Sequence, residues 1–552
     1  MNRRNFFQSL SDKRKATVKS KIQKPATGLE PYAGVWETEQ VTHLLKMTMF
    51  GATVADVNHF NQLTMSQSVD ALIDAVVPVP LPPVNNYATV SVPDPDVAAG
   101  VTWVNAPPGT SGTINSNRRN SLHAWWAGLM INQTRSIAEK MVLCWHNHFV
   151  TEADGIDPRY SYRYNQLLRK HATGNFKTFI REITLNPAML VYLNGNKNTV
   201  GAPNENYARE LQELFAIGKG PASFYTESDV QAAAKVLTGY DINTSTMEYK
   251  FVSTRHDTGN KQFSAFYNNK IIQGKTGTAG ETELDELIEM LFAQKELSLF
   301  ICRKLYRFFV YYEIDEVIEN KVIEPLAEIF RNNNYELKPV LKALFKSAHF
   351  YDPLLKGCMI KSPLDFLAGM VREFQVVFPD PTTDYVATYN LWRVLTTTSL
   401  EMGQELGNPP SVAGWPAYYQ VPQFHQLWIN SNSLPDRNLF SDTLIGSGFT
   451  KNSKKIVINV LQFTESLQNA SDPVNLINQV ENILLQYPLS DAVKLYLKVN
   501  FLLSGQDSDS YWTTAWNNYL ANPANSSNKT IVQSRLQNLY KYLMNMAEYQ
   551  LC

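Results

Sequence analysis

Large apolar residues that recur every four positions constrain the fold of this chain more than any other feature. The pairs Trp125/Leu129 and Ile137/Met141 have the spacing of a single helix face, which predicts one long helix over residues 121–149. Further blocks with helical periodicity are expected at 162–173, 175–185, 204–217, 227–237, 283–292, 297–312, 314–332, 339–346 and 362–378. The sequence therefore predicts a mainly α fold with a large multi-helix body.

Two regions interrupt the helical pattern. Residues 77–108 contain eight prolines, which fix φ and remove backbone donors, so a Pro-rich extended excursion over the body is predicted there. Residues 240–282 are rich in Thr, Asn, Gly and aromatic residues, and they predict a small loop or β insertion. Helix starts are clearest at Ser362, which can cap a helix whose first residue is Pro363.

The chain divides into three predicted regions. Residues 1–24 carry eight Lys or Arg side chains against Asp12 alone, and a basic flexible arm is expected over 1–34. The helical body is expected over 35–440. A C-terminal helical extension is expected over 441–552, where weakly helical segments alternate with Asn- and Ser-rich linkers.

Composition excludes several functional classes. Lys plus Arg is 50 and Asp plus Glu is 51, so the formal charge of −1 argues against a general nucleic-acid binder. No run of about 18 apolar residues is present, so no ordinary transmembrane segment is predicted. The four cysteines are far apart, which predicts neither a disulfide framework nor a zinc ribbon.

The N-terminus carries a partial export signal. Arg3-Arg4 before Phe6-Phe7 is similar to a twin-arginine signal, in which the arginine pair precedes a hydrophobic stretch. Residues 8–24 are polar and basic where that hydrophobic stretch belongs. An export signal and a plain basic arm therefore both stay open.

The first candidate site is the start of the 204–217 block. On a helix, Glu205, Arg209 and Glu210 form polar stripes beside an apolar face, with Asn204 on the apolar side. In a polar pocket, a carboxylate could act as general base or ligand and the arginine could hold an anion. The alternative is a capped surface helix with an i,i+4 pair between Glu205 and Arg209.

The second candidate site is the loop that contains His256, Asp257 and Lys261. These side chains can exchange protons or hold a divalent ion, and loops on a scaffold often carry function. The alternative is a simple turn, in which Asp257 bonds its own backbone and Gly259 adopts a positive φ.

The third candidate is the histidine pair His146 and His148. On a helix their side chains point about 200° apart and cannot share a metal, whereas on a strand they would lie on one face. If the helix continues, His148 lies one turn from Cys144 and from Glu152, either of which could be a second ligand. A divalent metal is therefore a candidate cofactor, with His146 and His148 as candidate ligands. A buried, hydrogen-bonded histidine is the alternative for each.

Several strings together resemble a bacterial domain-of-unknown-function family, number 1800, over about residues 39–440. They lie at 43–53, 140–149, 203–215, 237–240, 256–261, 360–363 and 408–416. The resemblance implies a mainly helical, exported protein whose genes neighbour those of another exported family, number 1501, which is the implied partner. It carries no established reaction. It implies a periplasmic or extracellular location, and a cytoplasmic one is the alternative because the signal core is absent.

Two functions from different classes follow, and whether the protein is an enzyme stays open. The first is a hydrolase that acts on an envelope or extracellular polymer, either with or without the assistance of a metal. Its catalytic groups would be Glu205, Arg209, Glu210, His256 and Asp257, with Asn204 and Lys261 binding substrate. The second is a non-catalytic binding or assembly protein of the cell envelope. A shared pocket for these residues favours the hydrolase, and separate, internally paired clusters favour the binding protein.

Overall fold

The computed structural model describes residues 25–89 and 91–552, and it is mainly α. The predicted twin-arginine-like stretch and most of the basic arm lie in residues 1–24, outside the described residues. Within the described ranges, no helix is both long enough and apolar enough to cross a bilayer.

Helices account for most of the ordered elements. The first eight are α1 (Thr38–Thr48), α2 (Val54–Phe60), α3 (Met65–Asp74), α4 (Gly112–Ile131), α5 (Ala138–His148), α6 (Pro158–Lys170), α7 (Phe176–Thr184) and α8 (Pro187–Tyr192). The next eight are α9 (Asn206–Glu210), α10 (Glu227–Val236), α11 (Glu283–Phe292), α12 (Lys295–Phe309), α13 (Glu316–Ile318), α14 (Glu324–Asn332), α15 (Leu337–Phe345) and α16 (Pro363–Glu373). The last seven are α17 (Tyr385–Glu401), α18 (Ser433–Ile445), α19 (Val460–Glu465), α20 (Pro473–Leu484), α21 (Asp491–Leu497), α22 (Ser510–Ala521) and α23 (Ser526–Asn545).

The single long helix predicted over 121–149 is wrong, because two helices, α4 and α5, occupy this stretch. Two polar side chains separate them. Asn132 caps the end of α4 by donating from Nδ2 to the Gly128 carbonyl at 2.8 Å. Ser136 accepts the N–H of Ala138 at 3.0 Å before α5 begins. Side chains that bond nearby backbone groups compete with helix continuation, and here they end one helix and start the next.

The Pro-rich excursion over 77–108 is confirmed as a non-helical segment that lies against the helical body. Trp125 of α4 donates from Nε1 to the Leu81 carbonyl at 2.7 Å. Arg118 of α4 reaches Asp94 of the excursion in an ion pair of 2.9 Å, and both side chains are buried. Because prolines cannot donate backbone hydrogen bonds, side chains of α4 supply much of the polar contact that fixes this segment.

The predicted insertion at 240–282 contains two short antiparallel hairpins. The first pairs β1 (Tyr240–Asn243) with β2 (Glu248–Phe251), and the second pairs β3 (Lys261–Gln262) with β4 (Ile271–Ile272). A third hairpin, which the sequence analysis missed, pairs β5 (Phe449–Lys451) with β6 (Lys454–Ile456).

The C-terminal region packs into the same core as the body. The predicted boundary at residue 440 falls inside α18. Lys46 of α1 donates from Nζ to the Leu484 carbonyl at 2.7 Å, and Leu551 forms an antiparallel bridge with Ile360. Residues 441–552 are therefore joined to the helical body by buried contacts.

The non-helical segment at 408–416 is anchored by a fully buried Trp415. The Trp415 N–H donates to Asn147 Oδ1 at 2.9 Å. Gly414 has a φ of +95°, and a Cβ at this position would lie 2.4 Å from Asn147 Oδ1. Glycine is needed here both for the backbone conformation and for the close approach to α5.

Candidate functional site

The predicted residues at 204–210 form an ion-pair cluster at the surface. Arg209 Nη2 lies 3.0 Å from Glu205 Oε2, one turn away, and Arg209 Nη1 donates to Glu227 Oε2 at 2.9 Å. The hydrogen bond to Glu227 is the main cause of the raised pKa of Arg209. All three side chains are exposed by a third or more. The geometry matches the alternative of a surface i,i+4 pair between Glu205 and Arg209. Glu227, the first residue of α10, adds a second carboxylate to this pair.

Asn204 and Glu210 do not take part in the ion pairs of this cluster. Asn204 is half-buried, and its Oδ1 accepts the N–H of Asn206 at 3.0 Å, so it shapes the turn before α9. Glu210 is also half-buried, and its Oε2 has no hydrogen-bond partner within the described ranges. Burial, followed by the charge of Glu213, raises the pKa of Glu210. The helix predicted to run to residue 217 changes after Glu210 into a π-helical stretch over Leu211–Ala216.

His256 and Lys261 meet at Glu283, the first residue of α11. His256 Nε2 lies 3.2 Å from Glu283 Oε1, and Lys261 donates from Nζ to Glu283 Oε2 at 2.6 Å. The side chains of Lys261 and Glu283 are 0% exposed. Asp257 accepts the N–H of Gly259 at 2.8 Å, which confirms the turn contact, although Gly259 does not have a positive φ.

These contacts divide the predicted residues into separate clusters. His256 forms a hydrogen bond with Thr238 and lies beside Glu283, whereas Arg209 is paired with Glu205 and Glu227. No hydrogen bond or ion pair joins the two clusters in the described part of the chain. The contacts therefore do not assemble one shared pocket, and a catalytic role for these residues stays a prediction.

His146 and His148 lie near the end of α5, so they point to different sides of a helix. His146 Nδ1 is 3.1 Å from the Tyr164 hydroxyl, and His148 Nε2 is 3.2 Å from the Phe215 carbonyl. Burial lowers the pKa of His146 to about 3 and lowers that of His148 as well. Among residues 25–89 and 91–552, no group of three or more His, Cys, Asp or Glu side chains is placed to hold a metal. The two histidines match the buried, hydrogen-bonded alternative.

A different set of charged residues surrounds a cavity of about 40 Å³ between α1, α5, α12 and α16. We call it the lysine cavity. Its charged lining residues are Lys46, Lys140, Arg307, Lys361, Asp365 and Glu373. A volume of this size has room for a few waters or a small ion.

Two of these lysines are paired with the two carboxylates. Lys46 Nζ lies 3.1 Å from Glu373 Oε1, and the Tyr549 hydroxyl donates to Glu373 Oε2 at 2.9 Å. Lys140 forms an ion pair with Asp365, which sits in the first turn of α16. Both carboxylates of the cavity are thereby committed to a lysine.

Lys361 has no such partner. It is 6% exposed, and its Nζ lies 4.1 Å from the centre of the Tyr549 ring without a hydrogen bond to any described residue. Burial lowers the pKa of Lys361 to about 8, against a smaller opposing effect of the Glu373 charge. His425, another lining residue, accepts the N–H of Ile360 through Nδ1 at 3.0 Å. Neutral His425 therefore carries its proton on Nε2 and can act as a donor.

Arg307 of this lining and the nearby Lys304 are also buried cations. Among the described residues, Arg307 makes a single hydrogen bond, from Nε to the Tyr312 carbonyl at 3.3 Å, and burial lowers its pKa. Arg307 also lines an adjoining cavity of about 50 Å³, together with Lys304 and Cys144. Burial lowers the pKa of Lys304 to about 8.

The two adjoining cavities are lined by five cationic side chains and two carboxylate side chains. Burying a charge without a partner costs free energy, and the lowered pKa values of Lys361, Lys304 and Arg307 express that cost. An anion between these groups would supply the missing charge. The arrangement can thus bind a small anion through ammonium, guanidinium and imidazole donors.

The sequence analysis missed this site, although two lysines beside apolar runs indicate it in part. Lys46 interrupts the apolar run of α1, and Lys140 precedes an equally apolar run in α5. A lysine inside such a run predicts a buried ammonium group, which needs a partner. Its partner could not be identified, because Lys140 and Asp365 are 225 residues apart in the sequence.

Comparisons with known proteins define the family of the chain. No curated protein and no solved structure matches it. One family model does match, and it covers residues 43–551, which include the C-terminal region beyond the 440 boundary of the sequence resemblance. Because this match spans nearly the whole chain, the protein belongs to the family described as protein of unknown function (DUF1800).

Proposed function

We propose that the protein is a non-catalytic binding protein that holds a small oxyanion, or the anionic group of a larger ligand, in the lysine cavity. The observation that carries this proposal is Lys361, a buried ammonium group with neither a carboxylate partner nor a hydrogen bond in the described part of the chain. Phosphate and sulfate groups share the required chemistry, since both accept several charge-assisted hydrogen bonds.

Binding is favoured over hydrolysis by the state of the carboxylates. Glu205 and Glu227 are engaged by Arg209 at the surface, and Glu283 is buried between His256 and Lys261. Inside the lysine cavity, Asp365 and Glu373 each have a lysine partner. A general base needs a carboxylate that is within reach of substrate. These carboxylates hold structural cations instead, and Glu210, whose Oε2 has no partner among the described residues, does not line the lysine cavity.

The proposal includes the setting that the family resemblance implies. The protein would act in the cell envelope, beside a protein of family 1501. Fractionation of cells that produce the full chain should place it outside the cytoplasm, and affinity purification should recover the family 1501 protein. Recovery in the cytoplasm, without that partner, would contradict the setting but leave the anion site intact.

The anion site is tested by adding phosphate or sulfate to the full chain at constant ionic strength, with chloride as the reference salt. Binding to the folded state stabilises a protein by about 2.7 kcal/mol when the ligand is at 100 times its Kd. We therefore expect melting temperature to rise with oxyanion concentration and isothermal titration calorimetry to show one site. Lys361→Met should abolish both effects.

The matched control is Lys529→Met, which removes an exposed lysine of α23. This variant should bind phosphate and sulfate like the wild type. Equal responses to oxyanions and chloride in the wild type, or unchanged binding in folded Lys361→Met, would overturn the proposal.

A further inference from the structure

A third cavity, much larger than the two described above and open to solvent, lies on another part of the molecule. It is a groove between α6, α7 and the β1–β2 hairpin, with a volume of about 760 Å³. None of its lining residues belongs to the lysine cavity. Its volume falls in the range of about 300–1,000 Å³ that is typical of sites for small organic ligands.

Two tyrosine rings line the groove from different elements. Tyr162 comes from α6, and its ring centre lies 5.7 Å from that of Trp125. Tyr249 comes from β2, and its hydroxyl donates to Glu281 Oε1 at 2.9 Å. Both rings are partly exposed. Because each ring is held by a neighbour, the two present fixed aromatic surfaces to the groove.

The charged lining residues are mostly paired with opposite charges. Lys170 is paired with Glu182, and Arg181 with Asp285. The charges that remain do not add up to a strongly positive or negative surface. The groove is therefore suited to a ligand with little net charge, in contrast to the lysine cavity.

Two planar polar side chains in the groove are free to bind a ligand. Arg163 and Gln166 are separated by three positions on α6, so they lie on the same face of the helix. Neither makes a hydrogen bond to another described residue, and Arg163 Nε and Gln166 Nε2 are buried without partners. Both atoms are hydrogen-bond donors, so they favour a ligand that offers acceptors.

We propose that this groove binds a glycan chain. The C–H face of a sugar ring carries partial positive charge, which complements the negative face of a tyrosine ring. Sugar hydroxyls donate and accept at once, as the amide of Gln166 does, and they are uncharged. The aromatic, amide and guanidinium groups of the groove meet these three requirements together.

The test measures binding of cellohexaose, chitohexaose and maltohexaose to the full chain by isothermal titration calorimetry. At least one of the three should bind, and Tyr249→Ala and Gln166→Ala should each weaken that binding by tenfold or more. Tyr249→Phe keeps the ring and should retain most of the affinity. Thermal unfolding of each variant checks that the fold is intact.

Two control variants separate this site from other surfaces. Tyr542→Ala removes an exposed tyrosine of α23 outside the groove and should bind the oligosaccharide like the wild type. Lys361→Met should also bind normally, so failure of the anion site and failure of the groove can be distinguished.

Three results would overturn the proposal. One is the absence of binding by all three hexasaccharides at millimolar concentration. Another is unchanged binding in folded Tyr249→Ala and Gln166→Ala. The third is binding of a tryptic casein digest that depends on Tyr249, without oligosaccharide binding, which would assign the groove to extended peptides.

Discussion

Lys361 illustrates how a single buried charge can reduce the stability of a fold. Its ammonium group is buried in the lysine cavity, and burial lowers its pKa to about 8. Since one pKa unit corresponds to about 1.4 kcal/mol, the charged form is disfavoured in the folded state by a few kcal/mol. Met has a similar length and no charge.

We therefore predict that Lys361→Met stabilises the ligand-free protein, by about 1–3 kcal/mol. Urea unfolding in a buffer without phosphate or sulfate would measure this gain. A large loss of stability would show instead that the ammonium group has a structural partner.

A second prediction at the residue scale concerns Trp415. Its ring is fully buried, beside the ring of His146 at 5.6 Å between centres. Trp415→Ala should lower the free energy of unfolding by about 3–5 kcal/mol, because it leaves a large cavity. Tyr419→Ala, in the same region but 40% exposed, should change stability little. Similar melting temperatures for both variants would show that the Trp415 ring does not anchor the segment.

The two clusters of predicted site residues should respond differently to loss of one carboxylate. Glu283 is fully buried between His256 and Lys261, and breaking a buried ion pair typically costs about 3–5 kcal/mol. Glu227 forms an exposed pair with Arg209, and solvent screens such a pair so that its loss should change stability little. Denaturant unfolding of Glu283→Gln and Glu227→Gln would reveal this contrast, and equal losses would contradict the structural role of Glu283.

At the scale of elements, the close approach of α1 and α16 depends on a pair of glycines. Gly51 follows α1 with a φ of +70°, and a Cβ there would lie 2.8 Å from the Gly369 Cα. Gly51→Ala should therefore destabilise the protein by about 1–3 kcal/mol, through both backbone strain and overpacking.

Gly112, at the start of α4, is the matched control for this substitution. A Cβ at Gly112 would meet nothing within 4 Å, so Gly112→Ala should be neutral or slightly stabilising. Thermal unfolding of both variants measures the difference, and a neutral Gly51→Ala would show that α1 and α16 can move apart at little cost.

Local signals in the sequence predicted many elements well. The helix predicted over 283–292 is found with these bounds, and Ser362 caps α16 by accepting the N–H of Asp365 at 3.2 Å. The helix α17 was not predicted, since its three consecutive threonines have low helix propensity. Packing against α4 stabilises this helix nonetheless. Trp392 lies so close to α4 that a Cβ on Gly128 would be 2.7 Å from its ring.

The hairpin β5–β6 was missed although its turn has a readable sequence. Asn452 and Ser453 have φ values of 49° and 63°, as a type I′ turn requires, and asparagine is favoured at such positions. The lysine cavity could not be predicted from the sequence for another reason. Its residues come from distant parts of the chain, and no local pattern specifies which of them meet.

At the scale of the whole molecule, buried histidines predict a loss of stability in acid. Burial lowers the pKa of His43 to about 4 and that of His146 to about 3, whereas both titrate near 6.5 in an unfolded chain. Between pH 6.5 and 4 the unfolded chain therefore binds more protons, so stability falls as pH falls, by about 1.4 kcal/mol per unit for each histidine.

Urea midpoints between pH 4 and 7 would measure this slope. His43→Asn should reduce it, whereas His59→Asn, at an exposed position, should leave it unchanged. A midpoint that is independent of pH in this window would contradict the burial of these side chains.

The bond from Lys46 to the Leu484 carbonyl has a consequence for synthesis. The two residues are 438 positions apart, and translation at about 5–20 residues per second needs roughly 20–90 s to connect them. Throughout that interval α1 has left the ribosome without the acceptor for its ammonium group and without α20 to cover it. The first helices of the nascent chain are therefore exposed to chaperones and proteases during this interval. The contact between α1 and α20 can form only after residue 484 has been synthesised.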